Sequence, residues 1–181
     1  MNIKKYLEEV ISLFEKYRQR YFYPREYVES LSKIDWIRLK RKKLTNLILD
    51  LDETLIPKDF NEISLQVFEF IQSLKEQGFK ICLTSNSRHP LRVKYFGETL
   101  RLPYFSLALK PFPSAFNNAL KTMQAKRENT VVIGDQLLTD ILGGNILGIY
   151  TIMVKPLTPE TFFMRKIMRW MESLIFKPIR I

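Results

Sequence analysis

Four short groups in this 181-residue chain carry side chains that could do chemistry, and each follows a short apolar run. They are Asp50-Leu-Asp52-Glu-Thr54, Thr84-Ser85-Asn86, Lys110-Pro111, and Gly134-Asp135 with Asp140 five residues on. If folding gathers them, Asp50, Asp52, Asp135 and Asp140 repel one another strongly in a partly dehydrated site. Such a set makes sense mainly around a divalent cation. Hard oxygen ligands without a neighbouring Cys or His pair point to Mg²⁺. A cation, a lysine and hydroxyl or amide donors together suit a phosphoryl group, whose transfer requires charge neutralisation and in-line positioning.

The pattern from Thr45 onward supplies elements that could gather these groups. Apolar runs at 46–50, 79–84, 105–109, 130–134 and 150–154 alternate with helix-like stretches at 62–77, 91–100, 113–125 and 138–147. Runs apolar at consecutive positions read as strands buried on both faces of a parallel sheet. Pro near the helix starts and Gly past the ends (Gly78, Gly148) punctuate the units, whose spacing matches strand-helix-strand crossovers. The expected fold is α/β: five mostly parallel strands, helices on both faces, and ligands at the carboxyl ends of the strands.

The expected organisation is one domain over 1–181, with a catalytic core at 44–155 between a basic N-terminal extension (1–43) and a basic C-terminal helix (156–181). The charge map supports that division. The chain has 29 Lys and Arg against 19 Asp and Glu, net +10. Residues 1–43 carry net +6 and residues 141–181 net +4, while 44–140 are neutral. Ile3 to Tyr21 and Phe163 to Ile175 each place apolar and aromatic residues on one helical face and charged ones largely opposite. Such ends either pack on the sheet or lie in a membrane interface. A single cysteine, Cys82, excludes an internal disulfide, fits a reducing compartment, and reads as a small apolar group within a strand. The charge-free stretch Ile141 to Val154 is 14 residues, short of the roughly 18 that suggest a membrane span. Lys4, Lys5, Glu8 and Glu9 interrupt any signal-peptide core.

The order DxDxT, S-N, K-P and GDxxxTD resembles the haloacid-dehalogenase phosphatase superfamily. The wording Lys110-Pro111, Val132 to Asp140 and Gly143-Gly-Asn145 resembles its subfamily IIIA, in particular bacterial relatives of mitochondrial and plastid phosphatidylglycerophosphate phosphatases. The resemblance runs from about Tyr23-Pro24 to the C-terminus. It implies a Rossmann-like fold with Asp50 as nucleophile and Asp52 as the acid that protonates the leaving alcohol and then activates water. It further implies that Thr54 fixes the loop, that Ser85, the Asn86 amide and Lys110 hold phosphoryl oxygens, and that Mg²⁺ sits on Asp50, the Asp52 carbonyl and Asp135. Asp140 is left open between a metal role, a helix cap and an ion pair with Lys110. Relatives often have Asn where this chain has Glu53 and Ser87, which touches loop geometry or substrate fit. His89 reads as a surface residue, Arg88 and Arg92 as candidates for an anionic head group, and Gly143-Gly144 as close helix packing.

Cap domains of that superfamily enter after the first motif or between the second and third, and neither interval has room for one. An open site suits a phosphate on something large or embedded. The expectation is a peripheral phosphatase on the inner face of the cytoplasmic membrane, bound to anionic phospholipid and acting on a lipid head group. A soluble phosphatase for a sugar phosphate, nucleotide or phosphoprotein is the alternative. RNA binding by the basic ends is disfavoured, because a scaffold has no need of Asp50, Asp52, Lys110 and Asp135.

Overall fold

The structure is a computed structural model and describes residues 3–158. The expected C-terminal helix at 156–181 lies almost wholly outside the described residues. Strands β1 (Glu26–Val28), β2 (Asn46–Leu49), β3 (Lys80–Thr84), β4 (Tyr104–Phe105), β5 (Thr130–Gly134) and β6 (Tyr150–Val154) form one sheet, ordered β1-β6-β5-β2-β3-β4. Every pairing is parallel. Helices α1 (Ile3–Phe22), α2 (Trp36–Arg41), α3 (Leu65–Glu76), α4 (Pro90–Leu100), α5 (Pro113–Met123) and α6 (Leu142–Ile146) complete it, and a π-helical turn, Leu137–Ile141, leads into α6.

The consecutive apolar positions of β2 explain its central place. Leu47 and Leu49 enter one buried cluster with Leu83, Ile133 and the α3–α4 residues Ile71, Leu74 and Phe96, whereas Ile48 enters a second with Val132, Cys82 and Phe116 of α5. A strand with both faces covered has no polar side, hence the unbroken apolar run. The helices start and stop where local chemistry dictates. Ser64 accepts from the Val67 amide to cap α3, Pro90 and Pro113 open α4 and α5, and Gly78 takes φ 90° just beyond α3. Gly143 and Gly144 serve close packing, since a β-carbon there would lie 2.4 Å from the Phe116 ring and 2.6 Å from Thr151 respectively.

Two expectations change. The sheet has six strands, not five: β1 is a three-residue edge strand, too short for a periodic signal, that pairs with β6. The run 105–109 leaves the sheet after Phe105, because Leu107 and Leu109 take φ 48° and 57°, which no strand accommodates. Those residues instead form a loop tied to the end of β3, where the Ala108 amide donates to the Ser85 carbonyl at 3.0 Å. The N-terminal helix packs against α6 and the π-helical turn. Its end is held by Asn145, whose Nδ2 donates to the carbonyls of Tyr21 and Tyr23 at 2.9 Å each. No helix among the described residues is long and apolar enough to cross a membrane.

Candidate active site

All four predicted groups arrive at the carboxyl end of the sheet, and their meeting point is Lys110. Its buried Nζ donates to Asp50 Oδ1 at 2.5 Å, Asp140 Oδ1 at 2.6 Å and the Thr84 carbonyl at 2.9 Å, which uses all three of its protons. Asp50 caps β2, Asp135 follows β5, Asp140 lies in the π-helical turn, and Lys110 rides the loop after β4. A reciprocal pair fixes that loop: the Lys110 amide donates to Asn86 Oδ1 and Asn86 Nδ2 donates to the Lys110 carbonyl, each at 2.9 Å. Gly134 makes room for Asp140, since a β-carbon would meet the Asp140 Cγ at 2.2 Å. Asp140 also accepts, through Oδ2, from the Gln136 amide and the Thr139 hydroxyl at 3.3 Å each. The ion pair with Lys110 and the capping bond left open by the sequence therefore coexist.

Thr54 is buried and donates to Asp135 Oδ1 at 3.2 Å, so it orients that carboxylate rather than lining the cleft. Ser85, also buried, donates to Asp52 Oδ2 at 3.2 Å and accepts from the Ser87 amide. The other Asp52 oxygen accepts from the Arg92 guanidinium, whose remaining N–H groups reach the Phe60 and Pro57 carbonyls. A cleft of about 420 Å³ opens above these groups. Asp50, Asp52, Glu53, Lys58, Asn86, Ser87, Arg88, His89, Lys110, Gln136 and Thr139 line it.

Burial dominates the electrostatics. It pushes the Asp50 carboxyl up to about 7, with Asp140 and Asp52 adding repulsion and Lys110 pulling the other way. Asp135 is driven up to about 8 by burial and by the charges of Asp50 and Asp140. Burial works against the Lys110 ammonium too, yet Asp140 and Asp50 outweigh it and lift the group above the ordinary lysine range. Three buried carboxylates thus cluster beside a single ammonium, which pairs with two of them, Asp50 and Asp140. Asp50, Asp135 and Asp140 each offer an oxygen within 4.8 Å of the others, so the charge deficit and the hard-oxygen donor set both fit a divalent cation.

Several roles were not legible in the sequence. Arg92, weighed as a head-group ligand, engages Asp52 from 40 residues away. Gln136 and Thr139 reach the cleft from between Asp135 and Asp140, a position their spacing could have signalled. Glu53 accepts from the Lys58 amide at 2.9 Å and from the Thr158 amide and hydroxyl at 2.8 and 2.7 Å, tethering the chain beyond β6 to the loop after β2. His89 and Arg88 are exposed, as a surface loop requires, but both lie on the cleft wall. Cys82 is fully buried in β3, which pushes its thiol up to about 12.

A wound parallel sheet that carries a carboxylate–lysine cluster at its carboxyl ends defines a phosphoryl-handling hydrolase. Comparison with known proteins agrees. A haloacid dehalogenase-like hydrolase family model matches residues 47–109, and a HAD-hydrolase-like model matches 108–156. The chain is 38% identical over 162 residues to the probable phosphatase YqeG of Bacillus subtilis, covering 90% of this chain and 94% of that protein. It belongs to the haloacid dehalogenase-like hydrolases, and it is a phosphatase. It is also 26% identical over 180 residues to phosphatidylglycerophosphate phosphatase 1 of Arabidopsis thaliana, covering 94% of this chain and 51% of that longer protein. In fold it resembles a predicted HAD-like hydrolase from Porphyromonas gingivalis, with a TM-score of 0.50 and 16% identity over 71% of this chain and 98% of that one.

Proposed function

We propose that this phosphatase hydrolyses a phosphomonoester on a lipid head group, phosphatidylglycerophosphate, to leave phosphatidylglycerol and inorganic phosphate. The observation that carries the reading is the open cleft: between Ser85 and Lys110 the chain forms only α4 and β4, and among the described residues no further element is inserted there to cover it. A site of that shape takes a phosphate that protrudes from a large or embedded group. The likeness to the Arabidopsis enzyme along nearly this whole chain supports the same substrate.

Asp50 attacks phosphorus, forming an Oδ–P bond as the bond from phosphorus to the head-group oxygen breaks. Asp52, held by Ser85 and Arg92, gives its proton to the departing oxygen. It then takes one from the water that attacks the aspartyl-phosphate and frees Asp50. Phosphoryl oxygens would be held by the Asn86 main-chain amide and by Lys110 and Ser85 once each exchanges a present carboxylate partner for the substrate, and Thr54 acts through Asp135. Asp50, Asp135 and the Asp52 carbonyl would hold Mg²⁺, with Asp140 beside them. When bound, that ion supplies the charge neutralisation that lets one anion attack another.

The test is phosphate release from phosphatidylglycerophosphate in mixed micelles, with Mg²⁺ or with EDTA, against a panel of water-soluble esters, for wild type and Asp50→Asn. Lipid turnover that needs Mg²⁺ and vanishes in the variant is expected. Turnover confined to soluble esters would overturn the lipid substrate, and an active Asp50→Asn would overturn the nucleophile.

A further inference from the structure

Around the polar cleft runs an apolar rim that the chemistry does not use. Phe60, Leu91, Leu107, Leu109 and Phe112 are exposed to 60%, 79%, 53%, 65% and 65%. They come from three separate segments, two loops and the first turn of α4, each of which carries a residue of the mouth. Phe60 lies two residues from the cleft residue Lys58, and its carbonyl is held by Arg92. Leu91 is two residues from His89, in the first turn of α4. Leu107, Leu109 and Phe112 flank Lys110, and the Phe112 amide closes a turn on the Leu109 carbonyl at 3.0 Å.

We propose that this rim is an interfacial docking face that seats the cleft mouth on an anionic lipid surface; it rests on the lipid reading above and adds the part of the protein that meets the bilayer. The backbone singles out the loop. Leu107 and Leu109 both sit in the left-handed region, where glycine is at ease and leucine is strained. Bonds from the Ala108 amide to Ser85 and from the Lys110 amide to Asn86 hold them there, so Ala108 and Lys110 turn inward and the two leucines outward. Holding leucine against its backbone preference gains nothing in water and does gain contact in an acyl interface.

Charge selects the occupant. The exposed cations at the same mouth are Lys58 and Arg88, against the exposed Asp59 beside Lys58, while the carboxylate of Glu53 accepts from the Lys58 main-chain amide and from Thr158. The chain passes from the cleft wall, where Thr158 bonds Glu53, into a sequence with five Lys or Arg and two Glu over 159–181. That segment adds to the small positive excess of the mouth's exposed charges and does not offset it. An anionic surface complements both, and each added Lys or Arg near it strengthens the attraction.

The test uses the full chain and three readouts: flotation with phosphatidylglycerol-containing vesicles and with pure phosphatidylcholine vesicles, turnover of lipid substrate in those vesicles, and turnover of p-nitrophenyl phosphate. Leu107→Gly/Leu109→Gly relieves backbone strain while removing apolar contact, so loss of fold is not its expected effect. Leu91→Gln tests the first turn of α4, and Ile146→Gln at the end of α6 controls for loss of an exposed apolar residue elsewhere. Wild type should float with the anionic vesicles. The rim variants should bind them roughly tenfold less and lose vesicle turnover in proportion, with p-nitrophenyl phosphate turnover within about twofold of wild type. The control should match wild type. Wild-type turnover of the lipid with unchanged vesicle binding in both rim variants overturns the docking face and leaves the substrate standing. A wild type that ignores anionic vesicles also overturns it and assigns the rim to a protein partner. If lipid is not a substrate in vesicles or in micelles, the reading beneath the proposal fails instead.

Discussion

Arg92 donates to Asp52 from the far side of the cleft, and the same guanidinium clasps the carbonyls of Pro57 and Phe60. Asp52, the proposed proton-transfer carboxylate, is therefore held between an arginine of α4 and the hydroxyl of Ser85 at the end of β3. Arg92 is a positioning residue in this arrangement. Arg92→Ala should lower kcat on an alkyl phosphate roughly 10- to 100-fold, a fraction of what general acid catalysis is worth, and leave KM within about twofold. The loss should shrink on p-nitrophenyl phosphate, whose leaving group departs without a proton, and Arg92→Lys should restore part of it. An equal loss on both esters would mean that Arg92 serves the loop and not Asp52.

That pair also marks where sequence reading stops. The strand ends carrying Asp50, Ser85, Lys110 and Asp135 could be placed because β2, β3 and β5 are buried on both faces and advertise themselves as apolar runs. Fold logic then puts their carboxyl ends together. Arg92 meeting Asp52, or Glu53 meeting Thr158 at a separation of 105 residues, follows from loop paths that no local period encodes. The edge strand β1 escaped for a related reason: with three residues it has too few positions to show alternation. Leu107 and Leu109 passed for strand residues because apolar sequence does not reveal a positive φ.

The raised carboxyls predict how stability follows pH. Asp50 and Asp135 ordinarily ionise near 3.8, and in the fold they do so near 7 and 8. A group raised on folding contributes stability that is complete below its unfolded value and lost as pH rises through its folded value. Metal-free protein should therefore melt lower at pH 8.5 than at pH 5.5, by on the order of 5 °C. Millimolar Mg²⁺ should remove most of that decline by stabilising the ionised carboxylates. Melting curves in EDTA that stay flat from pH 5.5 to 8.5 would contradict the burial of these charges.

Gly134→Ala should inactivate the enzyme without touching a functional group. The new methyl would stand 2.2 Å from Asp140 Cγ and 2.4 Å from its Oδ2, so Asp140 must move. Moving it strips Lys110 of one of its two carboxylate partners and the Gln136 amide of its acceptor. Misplacement of about 1 Å at a reacting centre costs roughly 100-fold, and a fall in kcat of at least about that size is expected. Steady-state turnover with a circular dichroism melt measures both consequences. A Gly134→Ala enzyme within a few-fold of wild type would show that Asp140 need not hold its place.

Glu53 sets a last expectation, because its backbone and side chain pull in opposite directions. At φ 61° it occupies the left-handed region, which Asn tolerates better than Glu. Its side chain nevertheless reaches the Lys58 amide and both donors of Thr158, and these bonds lower its carboxyl below the usual range although burial opposes the charge. Glu53→Asn relaxes the backbone but is too short to span to Thr158, so global stability should change little while one tether is lost. A hydrogen bond to a charged acceptor contributes about 1.5–3 kcal/mol, so amide exchange at Thr158 should quicken roughly 10- to 100-fold. The Leu157 amide donates to the Glu53 carbonyl at 3.0 Å, a main-chain bond the substitution keeps, and its exchange should rise less. Equal acceleration at Leu157 and Thr158 would show that the carboxylate anchors the whole segment. No acceleration at either would show that the main-chain bond suffices, and that the side chain of Glu53 has another use at the cleft wall.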